Sequence, residues 1–377
     1  MAPNVPLFKI YSDDQDVEAI KKVITSGMNW AIGSEVSTFE QKIAEYIGTR
    51  YCAVFNSGTS ALHAIMVAYD VRKNDEVIVP SLTFIATANA PLFVQGKPIF
   101  ADIEEKTLGL APEDVKEKIS SKTKLIMPVH YGGCPAQIRA LKEIATDHNL
   151  ILIEDAAESF GAKLGDQMTG SFGHSGMLSF CQNKVISTGE GGAIVTDSKE
   201  IYEKLLLIRS HGRKDDKGYF TDAFSSNYVK LGYNLRLSNI NASLGVSQIE
   251  KVETIIKKRL RVANNYIKKL KGIDGLILPF TPPDGRHVFQ LFSIRIKHGF
   301  RDELVDFLKR NGISSKVYFF PIHLTYFYKE QMKYSIHLPV TENISQEILS
   351  IPIYPTMTQE EQEYVIKKIY EFFESKK

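Results

Sequence analysis

Cysteine is scarce in this chain of 377 residues: there are three, Cys52, Cys134 and Cys181. They lie far apart, with no C-x-x-C pair and no metal-ligand spacing, which excludes a disulfide-stapled fold and a structural zinc site. They read as reduced thiols of a cytoplasmic protein, and no metal is expected. No stretch approaches roughly 18 uninterrupted apolar residues, so no transmembrane helix is expected. Residues 1–10 lack a basic segment followed by an apolar core, so no signal peptide is expected. Neither sign of charge predominates, since 46 Lys and Arg oppose 44 Asp and Glu. The charges are interspersed, without a basic arm or an acidic tail, which argues against nucleic acid or an anionic membrane as partner. Internal repeats and low-complexity segments are also missing. What remains is an ordinary globular balance, 44% hydrophobic and 24% charged, long enough for two domains or one large domain with a satellite.

Strand and helix signals alternate through most of the chain. Helical spacing over residues 14–26 ends at Gly27. Ser37-Thr38-Phe39-Glu40 reads as a capping box for a helix running to Ile47, with Gly48 as its stop. Strands are predicted at 51–55, 76–80, 98–102, 124–129 and 150–153. Helices are predicted at 61–69, from Ser81 onward, and at 112–119, 135–148 and 199–210. This alternation is the signature of an α/β fold with a largely parallel sheet. One long helix is predicted over 238–270. Beyond Gly272 the texture changes to prolines and turns, then a strand at 287–296, a helix at 301–310, a strand at 314–317 and a closing helix at 358–373. The division expected is a large α/β domain over 1–250 and a small α+β domain over 251–377, joined through the long helix.

Two stretches carry the chemistry. The first is Ser179-Phe180-Cys181-Gln182-Asn183-Lys184, followed by Thr188-Gly189-Glu190-Gly191-Gly192. A lysine that acts as a Schiff-base nucleophile needs a neutral amine and therefore an enclosed site. Glycines beside it let the backbone pass close to a flat cofactor. Taken alone, Lys184 also reads as a surface lysine beside a turn. The glycines lead into a strand rather than a helix, the wrong context for a dinucleotide fingerprint. The second stretch is the apolar run Leu150-Ile151-Leu152-Ile153, which leads into Glu154-Asp155-Ala156-Ala157-Glu158. Ligands of open α/β sheets bind beyond the carboxyl ends of the strands. An acid there suits the ring nitrogen of pyridoxal 5′-phosphate (PLP), which a carboxylate keeps protonated. A helix N-cap is the other reading of Asp155. Gly58-Thr59-Ser60, opening an apolar helix after Asn56, offers free amides to a phosphate or is an ordinary capped turn.

With these residues in place, the chain resembles the DegT/DnrJ/EryC1/StrS family of PLP-dependent nucleotide-sugar aminotransferases over nearly its whole length. The resemblance rests on Asn56 to Leu62, Glu154 to Glu158, Ser179 to Gly192, Gly232-Tyr233-Asn234-Leu235-Arg236, and Tyr318 to His323. It implies PLP-dependent transferase fold type I, related to aspartate aminotransferase, and transfer of an amino group from glutamate to a keto group of a nucleotide-linked deoxysugar, 4-keto in preference to 3-keto. It implies Lys184 and Asp155 as catalytic residues. Gly58, Thr59, Phe84, Glu158, Ser179 and Asn234 are the further cofactor contacts, and Arg213, Tyr318 and His323 face the substrate. Phe84 would stack on the cofactor; its other reading is a core phenylalanine. The family pattern also implies a homodimer with composite active sites, in which Asn234 and the polar loop 214–226 reach the opposite subunit. Cys181 and His174 depart from residues common in the family, and many members carry glutamine where Glu158 stands. The intact Lys184 argues against a dehydratase. A non-catalytic regulatory protein of the same fold, binding PLP or a nucleotide sugar, is the alternative.

Overall fold

The computed structural model describes residues 4–214 and 227–376. The loop residues 215–226, expected to serve a neighbouring subunit, lie outside the described residues. The centre is a seven-stranded sheet. Its order is Tyr51–Phe55, Gly192–Thr196, Ser175–Ser179, Ile151–Asp155, Thr123–Ile126, Glu76–Pro80, Lys97–Ala101. Gly192–Thr196 is antiparallel to both neighbours, and the other pairings are parallel.

The strands are apolar on both sides because helices cover both faces. Successive side chains alternate between those layers. Val77 and Val79 pack with Leu62, Ile65 and Leu205 on one face, while Ile78 packs with Leu141 and Leu152 on the other. A three-stranded antiparallel sheet, Leu276–Ile277, Phe292–Ile296 and Ile348–Ile351, forms the C-terminal unit with helices Arg301–Arg310 and Gln359–Glu374. Its core holds Tyr266, Phe292, Leu304 and Ile369.

Several expectations needed correction. The second helix begins at Ser34 with Gly33 as N-cap, so Ser37 is one turn inside, its hydroxyl donating to Ser34 O. Glu40 is not a capping glutamate. It is drawn into the core, where it accepts from Val54 N at 2.9 Å and from the partly buried Arg209. The helical pattern over 238–270 is broken at Lys251 into Asn239–Glu250 and Val252–Leu270. Lys251 is pulled sideways to Asp13 and Asp16, and the second helix runs from the core of the large unit into that of the small one. Only Phe292–Ile296 of the predicted 287–296 strand forms, and the 314–317 strand reduces to a bridge from Lys316 to Ser350.

Candidate active site

Asp155 ends a central parallel strand and is buried. Its Oδ2 accepts from Thr87 Oγ1 at 2.8 Å and its Oδ1 from Ala157 N at 3.1 Å. The Thr83 hydroxyl backs Thr87 at 3.0 Å. No helix follows Asp155, so it caps none. Burial pushes its carboxyl above the ordinary range, against the opposing pull of these hydrogen bonds and of Lys184.

The preceding residue, Glu154, faces the other way by strand alternation. It is fully buried and accepts four hydrogen bonds, from His130 Nε2 (2.9 Å), Gly170 N (2.8 Å), Phe172 N (2.6 Å) and Gly173 N (2.8 Å). His130 Nδ1 accepts from Ala136 N at 3.0 Å, so the ring proton sits on Nε2. This cluster is structural, as the commoner fate of a buried histidine requires.

Lys184 sits in the connection between Ser175–Ser179 and Gly192–Thr196. That connection is folded on itself: Phe180 N donates to Gly191 O, Thr188 N to Phe180 O and Lys184 N to Cys181 O. Lys184 Nζ lies 3.4 Å from Glu158 Oε1, and its side chain is only 14% exposed. Glu158 Oε2 accepts from Gly132 N at 2.9 Å. The carboxylate thus bridges the amine to a backbone amide.

Across from Lys184, Ser57 caps the helix Gly58–Ala68 by accepting from Ser60 N. That leaves the first amides of a helix, with its positive dipole end, beside Ser179. The close approach demands glycine at position 192 and leaves little room at position 58. A Cβ on Gly192 would fall 2.6 Å from Gly58 N, and one on Gly58 would fall 3.3 Å from Ser179 Cβ.

These groups line one cavity of about 490 Å³, which contains Gly58, Thr59, Phe84, Asp155, Glu158, Ser179, Lys184 and Tyr318. Phe84 is 60% exposed and so is not a core residue. Three sequence candidates are not in that lining. His323 is 1% exposed, takes a hydrogen bond from Ser81 Oγ on Nδ1, and donates from Nε2 to Glu342. Asn234 and Arg213 lie in bridges to Ser210 and Tyr228 at the surface edge. Thr87, Asn183 and Lys316 belong to the site and were not singled out from sequence. Thr87 stands four residues after Thr83, a helical spacing that carries no motif by itself.

The model of the DegT/DnrJ/EryC1/StrS aminotransferase family matches residues 11–370. GDP-perosamine synthase of Escherichia coli O157:H7 is 32% identical over 373 residues, covering 99% of each chain. Helicobacter pylori PseC, an aminotransferase involved in the biosynthesis of pseudoaminic acid, superposes with TM-score 0.92 at 26% identity, covering 99% of this chain and 100% of PseC. NtdA from Bacillus subtilis, solved with its cofactor PMP bound, gives TM-score 0.88 at 28% identity, covering 97% of this chain and 83% of NtdA. The chain belongs to the DegT/DnrJ/EryC1/StrS aminotransferase family, with fold type I and pyridoxal phosphate as cofactor.

Proposed function

We propose that this member of the family moves the amino group of glutamate to the keto carbon of a nucleotide-linked deoxysugar, the 4-keto in preference to the 3-keto position. The observation that carries the reading is the convergence of Lys184, Glu158 and Asp155 on one cavity at the carboxyl ends of the strands. The residues present fit the cofactor. Asp155 is a buried carboxylate whose direct hydrogen bonds come from neutral donors alone, and a ring cation beside it would lower its raised pKa. The amides of Gly58 and Thr59, with the Ser179 hydroxyl, would hold the phosphate. Phe84 offers an exposed ring to a planar face. Bound pyridoxal phosphate supplies an electron sink for the carbanion formed when a Cα–H bond breaks.

Lys184 Nζ is the group that would hold the cofactor covalently. As a free amine it would take the proton from Cα of the donor and return it to the carbon on the other side of the transferred nitrogen, a 1,3-shift. Glu158, fixed by Gly132 N, orients that amine. Tyr318 borders the substrate side, with Lys316 Nζ 4.8 Å from its ring. We place the reaction in the cytoplasm, where three free cysteines suit a reducing compartment, and in a homodimer. Among the described residues no helix is long and apolar enough to cross a membrane.

The test is incubation of the PLP-loaded protein with glutamate and a panel of GDP-, dTDP- and UDP-linked 4-keto and 3-keto sugars, with products read by mass. An aminated 4-keto sugar and an equal amount of 2-oxoglutarate are expected. Amination of 3-keto sugars alone removes the positional part. No amination of any keto-sugar removes the function.

A further inference from the structure

Residues 287–291 form a strap between the small C-terminal sheet and the segments beside the active-site cavity. Val288 N donates to Gly133 O at 3.1 Å and Leu291 N to Gly132 O at 3.0 Å. Gly132 N is the donor that holds Glu158. From the same strap, the Gln290 side-chain amide donates to the carbonyl oxygen of Asn183, the residue before Lys184. One short segment therefore bonds both to the residue before Lys184 and to the glycine that holds Glu158.

The strap is held in an unusual conformation. Phe289 has φ +49°, the left-handed region that a bulky side chain rarely enters. Three contacts enforce it. The His287 ring stacks on the Phe289 ring with centroids 3.9 Å apart and planes 4° from parallel. Phe289 N donates to His287 Nδ1 at 2.9 Å. The Arg259 guanidinium donates to Phe289 O at 3.1 Å and to Gln290 O at 2.8 Å. Arg259 is buried, and no carboxylate pairs with it among the described residues. Burial alone drives its pKa down to about 10. A buried cation solvated by carbonyls is a costly way to hold a turn. Backbone strain that the surroundings over-determine, in the residue before the one whose side chain bonds to Asn183 beside Lys184, points to positioning rather than to packing.

We infer that Arg259 and Gln290 are positioning residues for the amino transfer: Arg259 sets the left-handed turn at Phe289, the turn aims the Gln290 amide, and Gln290 fixes the Asn183 carbonyl and with it the approach of Lys184. This rests on Lys184 being the reactive amine.

The test uses the PLP-loaded enzyme. Gln290→Ala keeps the main-chain carbonyls that Arg259 binds and removes only the link to Asn183. It should lower kcat by about 10- to 100-fold, since a misplacement of about 1 Å costs on the order of 100-fold. KM for glutamate should stay within about twofold, because the uniform binding contacts are untouched. The pH midpoint of the bound cofactor's visible absorbance should shift, while Tm stays near wild type. Arg259→Met should show the same absorbance shift, and the double variant should be no slower than Gln290→Ala, because both act through one link. A wild-type kcat and an unmoved absorbance midpoint in Gln290→Ala overturn the inference. Additive losses in the double variant overturn the Arg259 part. Where Arg259→Met does not fold, the Gln290→Ala titration decides. Borohydride reduction of the wild type serves as the control. No label on the Lys184 peptide would remove the reading of Lys184 itself, whereas a label with unmoved variants removes only the strap.

Discussion

Adjacent carboxylates can have opposite effects on stability, and Glu154 and Asp155 are placed to show it. Glu154 satisfies four buried donors. Glu154→Ala leaves them unmet at about 1–3 kcal/mol each. The sum is comparable with the whole stability of a typical domain, about 5–15 kcal/mol. Urea unfolding of Glu154→Ala should show a loss above about 4 kcal/mol or no folded protein at all; a loss near 1 kcal/mol would mean that water replaces the carboxylate. Asp155 behaves in the reverse sense in the cofactor-free protein. Its carboxyl is raised in the folded state, so between the ordinary carboxylate range and that raised value the folded chain holds a proton that the unfolded chain has lost. Stability then falls as pH rises through that window, and above it the full penalty is present. Asp155→Asn removes the titration. The cofactor-free variant should melt above cofactor-free wild type at about pH 8, with the gap narrowing as pH falls and closed below about 3.9, where the carboxyl becomes protonated in the unfolded as well as the folded chain. With PLP bound the same change should slow turnover by orders of magnitude, because an amide cannot keep the ring nitrogen protonated. A variant that melts lower at about pH 8 while cofactor-free would show that the carboxylate is already compensated. Lys184→Ala should leave the fold intact, lose the borohydride-fixed cofactor and abolish transfer; retained turnover would remove Lys184 from the chemistry.

At the scale of elements, the site depends on two backbone segments meeting without side chains. Gly192 opens its strand directly against the first turn of Gly58–Ala68. In Gly192→Ala the new Cβ would sit 2.6 Å from Gly58 N and 2.7 Å from Gly58 Cα. Those are main-chain atoms and cannot swing aside, so the turn that offers its amides must move. We expect cofactor retention to weaken at least about tenfold with the fold kept, measured by the absorbance left after dialysis; a spread phosphate cup loses charge-assisted hydrogen bonds at about 1.5–3 kcal/mol each. Unchanged retention would mean that the phosphate sits elsewhere. The α/β alternation, the Asp155 strand end and the Lys184 stretch were legible because each is local: a buried apolar run, a turn of glycines, a lone lysine between them. What escaped depends on distant partners. Glu40 looked like a cap because Arg209 and Val54 N, its actual partners, are far along the chain. The helix over 238–270 looked continuous because Lys251 answers to Asp13 and Asp16 at the other end of the chain. Residues 287–291 alternate like a strand, yet Arg259 and the Gly132–Gly133 carbonyls bend them into a strap. His323 is absorbed by Ser81 and Glu342, which no spacing foretold.

At the scale of the whole molecule, the cavity of one chain lacks three residues that the family pattern assigns to it, His323, Arg213 and Asn234. Asn234 is exposed and outside the lining, although Leu235 O accepts from Asn56 N at 2.9 Å and so brings the segment alongside the Gly58 turn. Nearby Leu231 is 78% exposed and Tyr228, three residues before it, is 59% exposed, apolar surface of the kind that closes against a second copy. A homodimer in which Asn234 serves the opposite cavity accounts for both features. The prediction is complementation between two inactive chains. Lys184→Ala lacks the amine, and Asn234→Trp would block the contributed contact. After subunit exchange about half of the dimers are mixed, and each mixed dimer holds one whole site, so about a quarter of wild-type activity should return. The second site of each mixed dimer carries both lesions and stays silent. The measurement is amino transfer against the fraction of mixed dimer, with exchange followed by mass and with Asn234→Trp first shown to be inactive alone. Activity rising in proportion to that fraction means a shared site. No rise despite full exchange would put Asn234 at the site of its own chain and remove the composite arrangement, leaving the exposed apolar surface to be explained by a contact that takes no part in the chemistry.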